Sequence, residues 1–184
     1  MSTSEPATPG AGSLSEYDSA LIEELAKKSW VSWVRYGEPP HSYPVWHSWV
    51  DGAVCVVGNG FEQPLPGIDA AADVEVDLRS KATRYLVATI RAAVQRIGPD
   101  SATWDIVTTA LVAGRLNLVD PATAPQRWAD ECVVVRLTPT AVLAEGDTLP
   151  DDLAAAVPLP TPATTVAGVP KILHRRQTQR RRLS

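Results

Sequence analysis

The chain has 184 residues, of which 45% are hydrophobic and 21% charged, and this length and apolar content are typical of one globular domain. Its two cysteines, Cys55 and Cys132, exclude a disulfide framework and a four-cysteine zinc site. No apolar run reaches the roughly 18 residues of a membrane-spanning helix, and the first residues lack the basic and apolar blocks of a signal peptide, so we expect a cytoplasmic protein without a membrane span.

Charge is distributed unevenly along the chain. The formal net charge is −4, yet no Asp or Glu follows Asp152, whereas residues 171–184 contain six Lys and Arg side chains. Residues 1–170 therefore carry 21 acidic against 11 basic side chains, which argues against nucleic-acid binding by this part of the chain. We expect the basic tail to be a solvated, disordered arm. The alternatives are contacts with nucleic acid, an anionic membrane or other anionic partner, or the acidic body itself.

The composition predicts four segments. Residues 1–14 are rich in Ser, Thr, Pro, Gly and Ala, cannot bury enough apolar surface to fold, and are expected to be disordered. Residues 15–145 form the folded domain. Residues 146–170 are rich in Pro and Ala, which favours an extended linker. Residues 171–184 form the basic tail.

The folded domain is expected to begin with an amphipathic helix. Ser15 and Asp18 are both good N-caps, and the following residues alternate apolar and charged side chains at helical spacing. A first strand is then predicted over Trp30–Tyr36, which is rich in aromatic and β-branched residues and is followed by the turn residues of 37–40.

The next segment predicts a β-hairpin. Tyr43–Val50 is expected to be a second strand and Ala53–Val57 a third. Between them, Asp51 and Gly52 are the residue types that a type I′ turn requires, because both central positions must adopt positive φ.

A glycine- and proline-rich loop follows over 58–67. Within it, Gly58, Asn59 and Gly60 form either a tight turn or a nest of backbone amides that holds an anion. Strict alternation of apolar and polar residues then predicts a fourth strand over 74–80, with one buried face. A fifth strand is predicted over 86–95, although its alanines also permit a helix.

The last elements are a helix and a strand. Asp100 or Ser101 is expected to cap a helix that carries apolar residues at i, i+3 and i+7 and ends at Gly114. The sixth strand is predicted over Cys132–Leu137. Because strands cluster and helices are segregated, this order predicts an α+β, mainly β fold with an antiparallel barrel of six strands and flanking helices.

Common catalytic and metal-binding motifs are missing. The sequence has no complete phosphate-binding glycine loop, no nucleophile elbow and no zinc-type spacing. His41, His47 and Cys55 are too scattered for a metal site, so we expect surface or core histidines and no metal. Cys55 and Cys132 lie in apolar strands and are expected to be unreactive core residues.

Two groups of residues are candidates for ligand binding. Trp30, Trp33, Trp46 and Trp49 lie on the first two predicted strands, where they either pack in the core or stack on a partner or a ring-shaped ligand. Trp46 and Trp49 point to opposite faces of their strand. Arg79, Lys81 and Arg84 form a basic cluster that either binds a phosphate or forms salt bridges with Glu75 and Asp77.

Several stretches together resemble one known family. The opening strand Trp30–Val34, the turn Gly37–His41, the second strand Ser42–Trp46, the hairpin Asp51–Val56 and the closing Val134–Pro139 resemble the flavin-binding split barrel. This family includes pyridoxamine 5′-phosphate oxidase and enzymes that use the deazaflavin coenzyme. The resemblance implies a split-barrel homodimer that binds FMN or deazaflavin between subunits and oxidises or reduces a small organic substrate.

On this resemblance, the candidate cofactor-binding residues are Trp46, Arg79, Lys81, Gly58, Asn59 and Gly60, and no catalytic acid or base is assigned. The sequence departs from the family at one place. FMN-binding members usually follow the third strand with a Ser, Arg and Lys cluster, whereas here Glu62 lies in that segment. The alternative is therefore a cofactor-free dimer that acts as a binding or assembly module, with the linker and basic tail as a tether.

Overall fold

A computed structural model describes residues 14–149 of the protein. The predictions for residues 1–13, for the linker beyond Leu149 and for the basic tail concern segments outside this range. None of the helices within 14–149 is long and apolar enough to cross a membrane.

The described part contains three α-helices and seven strands. In chain order they are α1 (Glu16–Lys28), β1 (Val31–Tyr36), β2 (His41–Trp46), β3 (Ser48–Val50), β4 (Ala53–Gly58), β5 (Asp73–Arg79), β6 (Leu86–Ile97), α2 (Trp104–Ala113), α3 (Ala124–Glu131) and β7 (Val133–Glu145). Short 3-10 helices cover Ile68–Ala70 and Gly146–Thr148. The mainly β class with flanking helices is confirmed.

All seven strands form one antiparallel sheet in the order β2-β1-β5-β6-β7-β4-β3. β2 and β3 lie at opposite ends of this order, although only His47 separates them in the chain. The sheet must therefore curl until its two edges meet near His47. The result is a half-open barrel.

Helix α1 begins where the sequence predicts. Ser15 is the N-cap: its hydroxyl accepts a hydrogen bond from the amide of Asp18 at 3.0 Å, and the Asp18 carboxylate accepts one from the amide of Ser15 at 3.3 Å. This capping box stabilises the first turn. Ile22 and Ala26 are buried and face the barrel core.

The prediction of one strand over Tyr43–Val50 is wrong, because the strand is interrupted at His47. The segment forms two strands, β2 and β3, so the sheet has seven strands instead of six. The His47 amide donates to the carbonyl of Trp30 at 3.3 Å, and its ring Nε2 lies 3.0 Å from the carbonyl oxygen of Ala26. These contacts fix the bend between β2 and β3. The hairpin that follows is confirmed, with φ of 45° at Asp51 and 76° at Gly52.

Strands β5 and β6 are confirmed, but β7 continues eight residues past the predicted end at Leu137. Pro139 lies in this extension and has no amide to donate. The register between β6 and β7 shifts between Arg91 and Ala92, and Ala92 pairs with Pro139. The irregularity accommodates the missing donor, so the strand continues.

The helical region also differs from prediction. α2 begins at Trp104 with Thr103 as its N-cap, rather than after Asp100 or Ser101, and it ends at Gly114 as predicted. α3 was not predicted; it is eight residues long and has Pro125 in its first turn, and its Trp128 is 1% exposed.

The buried side chains form two clusters on either side of β4. Val54 and Val56 face the barrel interior, whereas Cys55 and Val57 pack beneath α2 and α3 with Trp128. Every residue of β4 is consequently buried. Cys55 is fully buried, which confirms that it is a core residue, and this burial raises the pKa of its thiol to about 12.

Candidate functional site

A cleft of about 400 Å³ opens where the end of α1 and the start of β1 meet the turn between β5 and β6. It is lined by Lys28, Ser29, Trp30, Val31, Trp33, Trp46, Arg79, Ser80, Lys81 and Arg84. Three of the six predicted cofactor residues are therefore in one place. The cleft combines indole rings with cationic side chains.

The indole rings come from neighbouring chain segments. Trp33 lies on β1, and the pairing of Val31 with Trp46 places the end of β2 beside the start of β1. Trp30 is 50% exposed and Trp46 is 43% exposed. Trp49, in contrast, is half-buried and packs against the barrel core. Trp30 and Trp46 therefore place exposed aromatic surface beside the cleft.

Arg79 is the central cation of the cleft. Its guanidinium carbon lies 4.5 Å from the centre of the Trp33 ring, a cation–π contact that fixes the side chain. One terminal nitrogen donates to the carbonyl of Arg84 at 3.2 Å. The Nε atom is buried and has no hydrogen-bond partner within residues 14–149. The second terminal nitrogen makes no hydrogen bond to the described residues, so Arg79 retains hydrogen-bonding capacity for a ligand at that atom.

The other cations of the cleft are also largely uncompensated. Lys28 forms an ion pair with Glu24, one turn earlier on α1. In the part of the chain that the structure describes, Arg79, Lys81 and Arg84 form no ion pair. The cleft thus carries excess positive charge, although residues 1–170 are acidic as a whole.

The salt-bridge alternative for Arg79 is wrong. Glu75 and Asp77 pair with Arg35 instead, at 2.9 Å and 3.6 Å between nitrogen and oxygen. The reason is register: Arg35 lies directly opposite Glu75 on β1, whereas Arg79 lies at the end of β5 and stacks on Trp33.

The turn between β5 and β6 holds the remaining cations in place. The Ser80 amide donates to the carbonyl of Tyr85, and the Arg84 amide to that of Ser80, both at 2.9 Å. The Ser80 hydroxyl also accepts from the amide of Thr83 at 3.2 Å. Arg84 has a φ of 65°. These bonds order a short turn whose Lys81 and Arg84 side chains line the cleft.

A second cavity of about 590 Å³ adjoins the cleft. The two share Lys28, Arg79, Ser80 and Lys81, and the second extends along α1 past Glu24 and Leu25. The positive charge therefore lies between two connected spaces.

The predicted residues Gly58, Asn59 and Gly60 lie elsewhere and do not line the cleft. They form the tight turn: φ is 66° at Asn59 and 58° at Gly60, and the Asn59 amide donates to the carbonyl of Gln63 at 2.8 Å. A Cβ atom on Gly60 would lie 2.8 Å from the carbonyl oxygen of Glu131. Glycine is needed there for close packing.

Glu62 has a structural role in the same loop. It forms an ion pair with Arg115, after the end of α2, and accepts a hydrogen bond from the indole of Trp128 at 2.8 Å. The side chains of Glu62 and Arg115 are only 10% and 17% exposed. This acidic residue joins the loop to the helices.

Sequence reasoning missed Gln63. Its side-chain oxygen accepts from the Trp46 amide at 2.7 Å, and its side-chain nitrogen donates to the carbonyls of Trp46 at 3.0 Å and Val57 at 2.9 Å. A single glutamine in a loop carries no sequence pattern that would indicate these contacts.

The histidines and Cys132 occupy different environments. His47 is buried, which lowers the pKa of its ring, whereas His41 is exposed. Cys132 was predicted to be a core residue of a strand, but it is the half-buried C-cap of α3 and β7 begins one residue later. Partial burial still raises the pKa of Cys132, and its thiol lies 3.5 Å from the carbonyl oxygen of Asn59. No group of three or more His, Cys, Asp or Glu side chains suited to a metal ion occurs within residues 14–149.

Comparison with known proteins supports the fold. The conserved hypothetical protein Rv2991 from Mycobacterium tuberculosis superimposes with a TM-score of 0.52 at 15% identity, over 74% of this chain and 87% of the other. HutZ, the haem storage protein from Vibrio cholerae, gives 0.50 at 11% identity, over 71% and 94%. A protein named "F420 Reductase" gives 0.48 at 18% identity, over 65% and 94%.

No protein-family model matches the sequence, and no curated protein is similar to it at a significant level. The two structures with TM-scores of 0.50 and 0.52 share the fold of this chain, the curled antiparallel sheet that the sequence resemblance implied.

Proposed function

We propose that this protein binds FMN or the deazaflavin coenzyme in the cleft between α1, β1 and the β5–β6 turn. The observation that supports this most is that Arg79, Lys81 and Arg84 form no ion pair with any residue of 14–149 and lie beside two exposed indole rings. Phosphate groups pair with fixed Arg and Lys side chains, and flat aromatic rings stack on tryptophan. A flavin phosphate ester presents both chemistries in one molecule.

The residues of the cleft fit such a ligand. Arg79, Lys81 and Arg84 would hold the phosphate, and the terminal nitrogen of Arg79 that makes no hydrogen bond to residues 14–149 would donate to it. Trp30 and Trp46 would contact the ring. When bound, the coenzyme supplies hydride or electron transfer, and the chain supplies binding and orientation. The proposed activity is oxidation or reduction of a small organic substrate by a homodimer.

The visible absorption spectrum of the freshly purified protein tests this proposal, followed by fluorescence titration with FMN and, separately, with the deazaflavin coenzyme. The adjoining cavity of about 590 Å³ is the reason to test the longer coenzyme as well. Retained coenzyme, or saturable binding at micromolar concentration or below, is the expected result. No binding of either at about 1 mM, well above the affinity that a cofactor site needs, contradicts the proposal.

The second candidate is a cofactor-free split-barrel dimer that serves as a binding or assembly module. The observation that favours it is the position of Glu62. This residue lies in the segment where FMN-binding members of the family that the sequence resembles carry basic residues, and it contacts Arg115 and Trp128. Under this alternative, Trp30 and Trp46 would cover a protein partner. Absent coenzyme binding together with a dimer in light scattering would support it.

A separate proposal concerns the role of the basic tail. Residues 171–184 would contact nucleic acid or another anionic partner. Binding that weakens steeply with salt and disappears when 171–184 is deleted would support this role. Binding that survives the deletion would contradict it.

A further inference from the structure

The side chain of Gln63 links β2 and β4, two strands that do not pair with each other in the sheet of residues 14–149. Its carboxamide makes three hydrogen bonds: one from the amide of Trp46, one to the carbonyl of Trp46, and one to the carbonyl of Val57. Trp46 is the last residue of β2, and Val57 lies near the end of β4. A side-chain amide offers the same donor and acceptor as a peptide group, so Gln63 takes the place of a missing strand residue.

The sheet topology explains why this place is open. β2 pairs only with β1 and forms one edge of the sheet, while β3 pairs with β4 only as far as Cys55. Beyond Cys55, the β4 backbone has no strand partner on that side among the described residues. Without Gln63 the carbonyl of the fully buried Val57 would lose this hydrogen bond, which is costly because water does not easily replace it.

The loop over 58–67 fixes Gln63 in turn. The Asn59 amide donates to the carbonyl of Gln63 at 2.8 Å, and the Asn59 side-chain oxygen accepts from the amide of Leu65 at 2.9 Å. Leu65 is fully buried in the barrel core. The chain of contacts thus runs from the core, through Asn59 and Gln63, to the backbone of Trp46.

We infer that Gln63 is a positioning residue that holds Trp46 in the wall of the cleft. This inference rests on the proposed function for its effect on coenzyme binding, but not for its effect on Trp46. The turn at Gly58, Asn59 and Gly60, which the sequence suggested as an anion site, therefore affects the cleft indirectly, because it positions Gln63 beside Trp46.

Two variants and one control test the inference. Gln63→Leu removes every polar contact at nearly the same volume. Gln63→Glu keeps an acceptor for the Trp46 amide but removes the donors to both carbonyls. Gln126→Leu is the control, because Gln126 is an exposed glutamine on α3 whose side chain hydrogen-bonds, among residues 14–149, to Asp130 alone. Each protein is also made in a Trp46→Phe background, so that subtraction isolates the emission of Trp46.

The first measurement is the emission and acrylamide quenching of Trp46 without any coenzyme. Both Gln63 variants are expected to shift the Trp46 emission to longer wavelength and to increase its quenching, whereas the Gln126 control leaves both unchanged. Circular dichroism identifies a variant that has lost its fold. A Trp46 signal equal to that of the wild type in a folded Gln63 variant overturns the inference.

The second measurement is FMN titration of the same proteins. Loss of the hydrogen bonds that hold Trp46 is expected to raise the FMN dissociation constant about tenfold in Gln63→Leu. If the wild type binds no FMN but the Trp46 signal responds as expected, the proposed function fails and the positioning role stands. If FMN binds and its affinity is unchanged in both Gln63 variants, the role of Gln63 in the site is overturned.

Discussion

The sequence makes both the cleft and the loop over 58–67 candidates for phosphate binding. The structure shows that they differ in whether their polar side chains have partners within residues 14–149. In the cleft, Arg79, Lys81 and Arg84 form no ion pair with any described residue. In the loop, Glu62 is paired with Arg115 and Trp128, and the Asn59 amide is bonded to Gln63. Polar groups that bond one another stabilise the fold. Groups without partners are available to a ligand.

The difference shows why residue type alone does not identify a binding site. Glycines and an asparagine after a strand suit an anion nest, but the Asn59 amide here donates to Gln63 within the loop, and Gly60 is packed against Glu131. A cluster of basic residues near acidic ones suits salt bridges, but the register gives Glu75 to Arg35. The candidate site is therefore recognised by charged side chains that form no ion pair within residues 14–149. Four predictions test this distinction.

Glu62→Ala is expected to have the largest effect, on stability. Removing the carboxylate leaves the mostly buried Arg115 without its counter-ion and should lower the free energy of unfolding by about 3 kcal/mol. Urea denaturation measures this change. Glu23→Ala is the matched control, since its exposed ion pair with Lys27 contributes about 0.5 kcal/mol or less. Equal effects of the two substitutions would contradict the structural role of Glu62.

Arg79→Ala combined with Lys81→Ala is expected to leave stability nearly unchanged and to abolish coenzyme binding. Losing two charge-assisted contacts to a phosphate should raise the FMN dissociation constant at least about 100-fold. The control removes two other exposed cations, Arg91 and Arg96, and should bind FMN normally. Fluorescence titration of both double variants decides the matter, and unchanged affinity in the first rejects the cleft as the phosphate site.

His47 is expected to make stability depend on pH. Burial lowers its pKa in the folded state below the ordinary 6.5, so the unfolded chain takes up a proton more readily. The stabilisation is present above about pH 6.5 and is lost as pH falls toward the folded-state pKa, at no more than about 1.4 kcal/mol per pH unit. Urea denaturation between pH 7.5 and about 5.5 measures the slope.

His47→Gln supplies the control for this slope, because glutamine keeps a donor for the carbonyl of Ala26 and does not titrate. The variant is expected to show a flatter dependence over the same range. A slope identical to that of the wild type would mean that other groups cause the pH dependence.

Trp33→Leu is expected to have the smallest effect, and only on the cleft. It removes the ring on which Arg79 stacks, so the guanidinium loses its orientation but keeps its charge. A cation–π contact at a partly exposed site contributes about 1 kcal/mol, which predicts FMN binding about fivefold weaker. Fluorescence titration measures this, and a loss as large as that of the Arg79 and Lys81 double variant would show that Trp33 does more than orient Arg79.

Local signals in the sequence predicted much of the fold. Ser15 and Asp18 mark the start of α1 through hydrogen bonds within four residues, and Asp51 and Gly52 specify a turn by their own backbone preferences. Strand alternation located β5. Each of these features depends on residues close together in the chain.

The remaining features depend on contacts between distant segments. The break at His47 requires the carbonyls of Ala26 and Trp30, and α3 is held by the burial of Trp128 beside Glu62. The sequence identified the basic cluster and Trp46 as candidate site residues, but it did not predict that they line the same cleft. The contribution of Gln63 rests on hydrogen bonds across 17 residues to Trp46, which no local pattern reveals.

The central claim is that Arg79, Lys81 and Arg84, which form no ion pair within residues 14–149, bind the phosphate of an aromatic ligand. Titration of the wild-type protein with FMN and with riboflavin, which has the same ring but no phosphate, tests it most directly. The account predicts that FMN binds at least about 100-fold more tightly, as two charge-assisted contacts imply, and that added salt narrows the difference. Equal affinities for the two ligands, or binding of neither, would contradict it.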